Sequence, residues 1–168
     1  KWNERVMPKK LFITDFDGVL CDSVWECLLV AYNAYHRIHS ASFQRTFSIE
    51  KIEPSKRQQF RKLRPYLKGA EDFVPIFIAI EKNVPIATQQ DFNTFREHCK
   101  DHTLIYQEAF YAERNYLQQH EKNLWLSLNP LFDGIGETLK QCKSFEQFHI
   151  LTTKRQEDVL AIFQYHGI

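Results

Sequence analysis

Two short apolar runs, far apart in the chain, constrain the fold of this sequence more than any other feature. Residues 9–14 are rich in strand-forming side chains and end at Asp15, and residues 148–151 form a second run that ends at Thr152. A short apolar run that stops at a polar turn is typical of a buried strand. A helical pattern follows each run, so the sequence predicts a strand, a loop and a helix at both ends.

Between these ends, the spacing of apolar residues predicts helices from about residue 24 to residue 128. Proline disrupts a helix interior and disfavours helix in the residue before it, so we expect several short helices. The interruptions are Pro54, Pro65, Gly69, Pro75 and Pro85, and residues 91–126 form the most continuous stretch. Glycine is scarce, with only 5 residues, which disfavours an all-β fold with many turns.

The order of these elements predicts the fold class and the domain organisation. Two strand-loop-helix units predict a parallel α/β core, formed by residues 9–23 and 129–168, with residues 24–128 as a helical insertion. A pair of parallel strands needs neighbouring strands and cover on both faces. We therefore expect these residues to be the N-terminal portion of a longer protein.

Charge and composition exclude several classes of protein. The 22 Lys and Arg residues nearly balance the 21 Asp and Glu residues, so no overall attraction to nucleic acid or membrane is expected. A hydrophobic content of 43% is that of a globular protein, and no apolar run approaches the roughly 18–20 residues that span a bilayer. Cys21, Cys27, Cys99 and Cys142 form no CxxC pair, so we expect reduced thiols in a cytoplasmic protein.

The segment after the first apolar run carries the residues with the clearest chemistry. Asp15, Asp17 and Gly18 directly follow the predicted strand. A turn can bring both carboxylates into one pocket, and α/β proteins bind ligands at the carboxyl ends of parallel strands. One carboxylate can then act as a nucleophile and the other as a general acid or base, while their oxygens suit Mg²⁺.

Residues 11–23, LFITDFDGVLCDS, resemble the first motif of the haloacid dehalogenase-like superfamily, in which Asp-x-Asp-Gly follows a short strand. Residues 150–154 resemble the second motif, a Thr or Ser at the end of the next strand. The segment from Gly134 resembles the helix start that precedes this strand in phosphoglycolate phosphatase-like members. The resemblance implies a Rossmann-like parallel core with an all-helical cap inserted after the first motif.

The same resemblance implies a Mg²⁺-dependent phosphoric monoester hydrolase that acts on a small phosphorylated metabolite. Asp15 would attack the phosphoryl group and form an aspartyl-phosphate, and Asp17 would protonate the leaving oxygen and then activate water. Asp15 and the backbone carbonyl of Asp17 would hold the Mg²⁺. An aspartate at position 17 favours phosphoryl transfer over dehalogenation, because a halide leaving group needs no proton. The implied phosphate-binding residues are Gly18, Thr152, Thr153 and Lys154.

The chain also departs from the pattern of the family. A third motif, a Lys or Arg, and a fourth motif, an acidic pair, are not found in these 168 residues, and we expect both after residue 168. Without them, the 168 residues alone are not expected to be an efficient enzyme. Two alternatives therefore stay open. One is a phosphomutase of the same superfamily, and the other is a non-catalytic binding or regulatory protein that lacks the later motifs.

Two weaker patterns lie in the helical stretch. Residues 51–68 hold seven basic residues against one acid, which indicates a solvated helical face or, alternatively, a surface that recognises an anionic substrate. In the second case we expect Arg64 to contact the substrate. His98 and His102 have a spacing that suits zinc, but no third ligand accompanies them, so a surface pair on a helix is favoured.

Overall fold

The computed structural model describes residues 11–141 and 148–168. Its strands and α-helices, in chain order, are β1 (Phe12–Thr14), α1 (Val24–His39), α2 (Pro54–Leu63), α3 (Phe73–Glu81), α4 (Gln89–Glu97), α5 (Thr103–His120), α6 (Lys122–Ser127), α7 (Ile135–Gln141), β2 (Phe148–Ile150) and α8 (Gln156–Tyr165). In this part of the chain, no helix combines the length and the apolar character needed to cross a membrane.

The described residues fall into two compact units. The helical unit is Ser23–Asn129. The strand unit consists of residues 11–22, 130–141 and 148–168. These divisions lie one residue from the boundaries that the sequence predicts for the helical insertion, 24–128.

In the helical unit, α5 packs against α1 and α3 around an aromatic core. The ring of Phe73 stacks on that of Phe110, with centroids 4.4 Å apart. The sequence also sets where helices begin. Pro54 occupies the first position of α2, where a missing N–H costs nothing, and Thr88 and Asp91 form a capping box at the start of α4.

Charged groups are also buried in the helical unit. Arg114 on α5 forms two hydrogen bonds with the carboxylate of Glu26 on α1, at 2.8 and 2.7 Å. Asp72 is fully buried and pairs with Arg96 at 2.6 Å. Burial is the main reason why the pKa of Asp72 is raised above its ordinary value.

The stretch 91–126 is less continuous than its pattern predicts. The helix α4 ends at Glu97, a 3₁₀ turn spans Lys100–His102, and α5 and α6 follow as separate helices. His98 and His102 are exposed and do not share one helix, so the i, i+4 geometry is lost. Within residues 11–141 and 148–168, no three His, Cys, Asp or Glu side chains are grouped so that they could hold a metal ion.

The strand unit is built on one short parallel pair. β1 pairs with β2 in the register Phe12 with Phe148 and Thr14 with Ile150. The helices of this unit are α7 and α8. Residues 9 and 10 of the first predicted strand lie outside the described residues.

The prediction of an α/β fold with a Rossmann-like parallel core is wrong. The described residues are mostly helical, and their strands are two segments of three residues in one two-stranded sheet. Phe12 and Ile13 are 63% and 61% exposed, so the first apolar run is not a buried strand. An α/β core requires a parallel sheet covered on both faces, and this pair of strands does not form one.

Candidate active site

The first loop, residues 15–21, turns tightly around the backbone carbonyl of Phe16. The N–H groups of Leu20 and Cys21 donate to this oxygen at 2.9 and 3.0 Å, and Gly18 N–H donates to the carbonyl of Cys21 at 2.8 Å. Gly18 has a φ of +80°, in the left-handed region that favours glycine, and a Cβ there would meet nothing within 4 Å. Glycine is therefore favoured at position 18 because of the backbone conformation, and not because a side chain would lack space.

A buried aromatic side chain anchors the first loop. Phe16 is fully buried, and its ring packs edge-on against that of Phe163 on α8, with centroids 5.5 Å apart. The loop also receives a backbone hydrogen bond from Phe132 N–H to the carbonyl of Leu20 at 3.0 Å. The loop that carries the two carboxylates is therefore held by packing as well as by hydrogen bonds.

The two carboxylates have different surroundings. Asp15 is exposed, and its Oδ1 accepts a hydrogen bond from the N–H of Phe16 at 2.6 Å. Asp17 is partly buried, and its Oδ1 accepts one from Nζ of Lys154 at 3.0 Å. The side chain of Lys154 is itself only 2% exposed. Asp15 is thus open to solvent, whereas Asp17 is bound to a buried cation.

The second turn, residues 151–155, follows β2 at the same edge of the sheet. The N–H of Leu151 donates to the carbonyl of Thr14 at 2.8 Å, which extends the pairing of the strands to the start of both loops. Thr152 is partly buried and Thr153 is exposed. Oγ1 of Thr152 accepts the N–H of Lys154 at 3.2 Å. The parallel register therefore brings the first loop and the second turn together.

Arg64 lies in the helical unit, in a 3₁₀ turn that spans Arg64–Tyr66. Its guanidinium lies 5.1 Å from the ring centroid of Phe73. Its Nε is buried and makes no hydrogen bond to the described residues. Elsewhere in the basic stretch, Lys56 pairs with Glu81 at 2.8 Å, and Arg61 lies over Trp25 at 5.2 Å. Part of this charge therefore serves the internal structure of the unit.

The chemistry of the first loop suits a magnesium ion. Its candidate donors are the carboxylates of Asp15 and Asp17 and the backbone carbonyl of Asp17, all of them oxygen. Mg²⁺ is usually held by one or two carboxylates together with water and substrate phosphate oxygens. The two carboxylates therefore supply ligands of the kind that Mg²⁺ binds.

A groove of about 610 Å³ runs along the strand unit beside the second turn. The polar residues of its lining are His149, Thr152, Lys154 and Gln156. The remaining lining is apolar, from Leu139, Phe148, Ile150, Val159, Leu160, Phe163 and Ile168. These side chains come from β2, α7, α8 and, for Ile168, the residues after α8, so no local sequence pattern predicts the groove.

Comparison with known proteins gives no match to any family model, any curated protein or any solved structure. Sequence reasoning identified Asp15, Asp17, Gly18, Thr152, Thr153 and Lys154, and the structure brings them to one edge of the strand pair. It did not identify the buried pairing of Lys154 with Asp17 or the packing of Phe16 on Phe163.

Proposed function

We propose that this protein is a Mg²⁺-dependent phosphatase that hydrolyses a small phosphorylated metabolite at the first loop. The observation that carries the proposal is that an exposed carboxylate, a second carboxylate and a threonine turn meet at one edge of a parallel strand pair. The roles of the residues come from the resemblance of residues 11–23 to the first motif of haloacid dehalogenase-like enzymes.

In the first half of the reaction, Asp15 is the nucleophile. Because its carboxylate is exposed, a phosphoryl group can reach it from solvent. A bond forms between a carboxylate oxygen of Asp15 and the phosphorus while the bond from phosphorus to the ester oxygen breaks. Asp17, in its acid form, gives its proton to the leaving oxygen, so the products are an alcohol and an aspartyl-phosphate.

In the second half, water attacks the same phosphorus and transfers a proton to the carboxylate of Asp17. The bond between phosphorus and Asp15 breaks, which releases inorganic phosphate and restores both side chains. Oγ1 of Thr152 accepts the N–H of Lys154, so its own proton can be donated to a phosphoryl oxygen. When bound by the Asp15 carboxylate and the Asp17 carbonyl, Mg²⁺ would neutralise negative charge on the phosphoryl oxygens.

The test is release of inorganic phosphate by the full-length protein from a panel of phosphomonoesters, with Mg²⁺ and with EDTA. Asp15→Asn should abolish the Mg²⁺-dependent activity, because an amide is a far weaker nucleophile than a carboxylate. Asp133→Asn is the matched control, since Asp133 is an exposed acid in the same unit and should leave turnover unchanged. Equal turnover in Asp15→Asn and the wild type would refute the mechanism.

The products of the same assay separate a phosphatase from a phosphomutase. With a sugar phosphate as substrate, a phosphatase releases phosphate, whereas a mutase returns an isomeric sugar phosphate. The absence of both products with every substrate would leave the binding or regulatory alternative in place of an enzyme.

A further inference from the structure

The buried ammonium group of Lys154 is not used in the reaction proposed above. The motif predicts Lys154 as a ligand of the substrate phosphate, a role that requires an ammonium group open to the incoming substrate. In the structure, the side chain is 2% exposed and its Nζ lies 3.0 Å from Oδ1 of Asp17. The aromatic ring of Phe16, at 5.7 Å, forms another part of its surroundings.

We propose that Lys154 is a positioning residue, which holds the carboxylate of Asp17 and thereby connects the first loop to the second turn. Its meaning for catalysis rests on the proposed phosphatase function. The connection itself is a property of the fold and can be measured without any turnover.

The burial of the Lys154 ammonium group has an energetic cost. An ammonium group removed from water loses its hydration, and a nearby carboxylate restores much of that loss. Exposed ion pairs separate easily in solvent and contribute little to stability. When one partner is buried, separation leaves an unpaired charge away from water, which is strongly unfavourable. The burial of Lys154 therefore favours one fixed position for the Asp17 carboxylate.

The first loop can fix its own backbone without Lys154. The hydrogen bond from Gly18 to Cys21 and the burial of Phe16 determine the backbone of the loop. Neither of them acts on the carboxylate of Asp17, which must face the leaving oxygen in the proposed reaction. The bond from Lys154 acts on that group directly.

Lys154 lies in the second turn and contacts both this turn and the first loop. The backbone N–H of Lys154 donates to Oγ1 of Thr152, while its side chain binds Asp17 in the first loop. One residue thus contacts the proposed acid–base group and the proposed phosphate-binding hydroxyl. The two segments are separated by 137 residues in sequence at this contact, so the connection is made only when the strand unit is folded.

Hydrogen exchange followed by mass spectrometry tests the connection directly. Lys154→Met should raise exchange of the amides in residues 15–21 and 151–155 by about tenfold or more, because the restraint between them is lost. Asp17→Ala removes the same contact from the other side and should act alike, and the double variant should exchange no faster than either single variant. Lys140→Met, at an exposed lysine of the same unit, is the control and should leave both segments unchanged.

Exchange within twofold of the wild type in Lys154→Met would overturn the proposal. If Lys154→Met does not fold, Asp17→Ala tests the connection on its own, and unchanged exchange in that variant would overturn the proposal equally. Lys154→Arg keeps the charge and should restore most of the protection.

Kinetics separate a positioning role from direct binding of phosphate. A positioning residue lowers kcat by roughly tenfold or more while KM and inhibition by vanadate stay within about threefold. A direct phosphate ligand instead raises KM and weakens vanadate inhibition, and that result would overturn the proposal. A full-length wild-type protein without activity would refute the phosphatase function, while the exchange measurement would still decide the role of Lys154.

Discussion

The ion pair between Glu26 and Arg114 leads to a prediction about the stability of the helical unit. The carboxylate of Glu26 on α1 is fully buried, and the side chain of Arg114 on α5 is 10% exposed. Both nitrogens of the guanidinium fork donate to the carboxylate, at 2.8 and 2.7 Å. The pair joins two helices that pack against each other, so its loss should weaken the whole unit.

The substitution Arg114→Met leaves the Glu26 carboxylate buried without its guanidinium partner. Breaking a buried pair from one side costs about 3–5 kcal/mol, a large part of the roughly 5–15 kcal/mol that stabilises an ordinary domain. The guanidinium also lies 4.7 Å from the ring centroid of Phe110, a contact that the apolar Met side chain partly replaces. We therefore expect Arg114→Met to lose about 3–5 kcal/mol of unfolding free energy.

The double variant Glu26→Leu/Arg114→Met provides the critical comparison. Replacing a buried ion pair by apolar side chains of similar size is often neutral or stabilising. The double variant should therefore recover most of the stability that Arg114→Met loses. This recovery is the sign that the unpaired charge, and not lost packing, causes the destabilisation.

Urea unfolding followed by tryptophan fluorescence measures this effect, because Trp125 is buried in the same unit. Lys100→Met is the control. It breaks an exposed pair with Glu97 at 3.9 Å, with side chains 68% and 74% exposed, and should change the free energy of unfolding by no more than about 0.5 kcal/mol. A loss below about 1 kcal/mol in Arg114→Met, or a double variant no more stable than Arg114→Met, would refute the reasoning.

Two further predictions concern pH and backbone conformation. Burial lowers the pKa of His36 and His39 in the folded protein, so the unfolded chain binds protons more readily. The urea concentration at the midpoint of unfolding should therefore fall as pH drops below about 6.5. His36→Gln should reduce this slope, and an equal slope in both proteins would contradict the assignment. Gly18→Ala should lose about 1 kcal/mol through its positive φ alone, because the Cβ meets open space, and an unchanged Tm would contradict that account.

Local structure follows from local pattern in much of this chain. The first apolar run contains β1, the second contains β2, and Pro54 begins a helix as its fixed φ favours. The predicted α/β core is wrong because it depends on tertiary packing and not on local pattern. Whether a strand is buried depends on what covers its two faces, and an apolar run does not contain that information. Phe12 and Ile13 are an example, because they belong to an apolar run and their side chains are nevertheless exposed.

The candidate site shows the same division between local and long-range information. Two carboxylates and a glycine after an apolar run identify the first loop, because the chemistry and the turn are encoded in adjacent residues. The contact between Lys154 and Asp17 joins residues that are far apart in sequence, and no local spacing predicts it. The basic stretch of residues 51–68 predicts that Arg64 contacts an anionic substrate, whereas the contact of Arg64 with the ring of Phe73 depends on tertiary packing.

The charges at the first loop explain why the proposed reaction should depend strictly on a divalent cation. In the proposed reaction Asp17 is in its acid form, so a dianionic phosphoryl group approaching the carboxylate of Asp15 brings three negative charges together at this loop. Lys154 is a cation in contact with this loop, but its ammonium is buried and bound to Asp17. Its single positive charge offsets one of the three negative charges, and a divalent cation would offset the other two. Removal of Mg²⁺ should consequently lower activity more than Lys154→Met does, and the reverse order would contradict this assignment of charges.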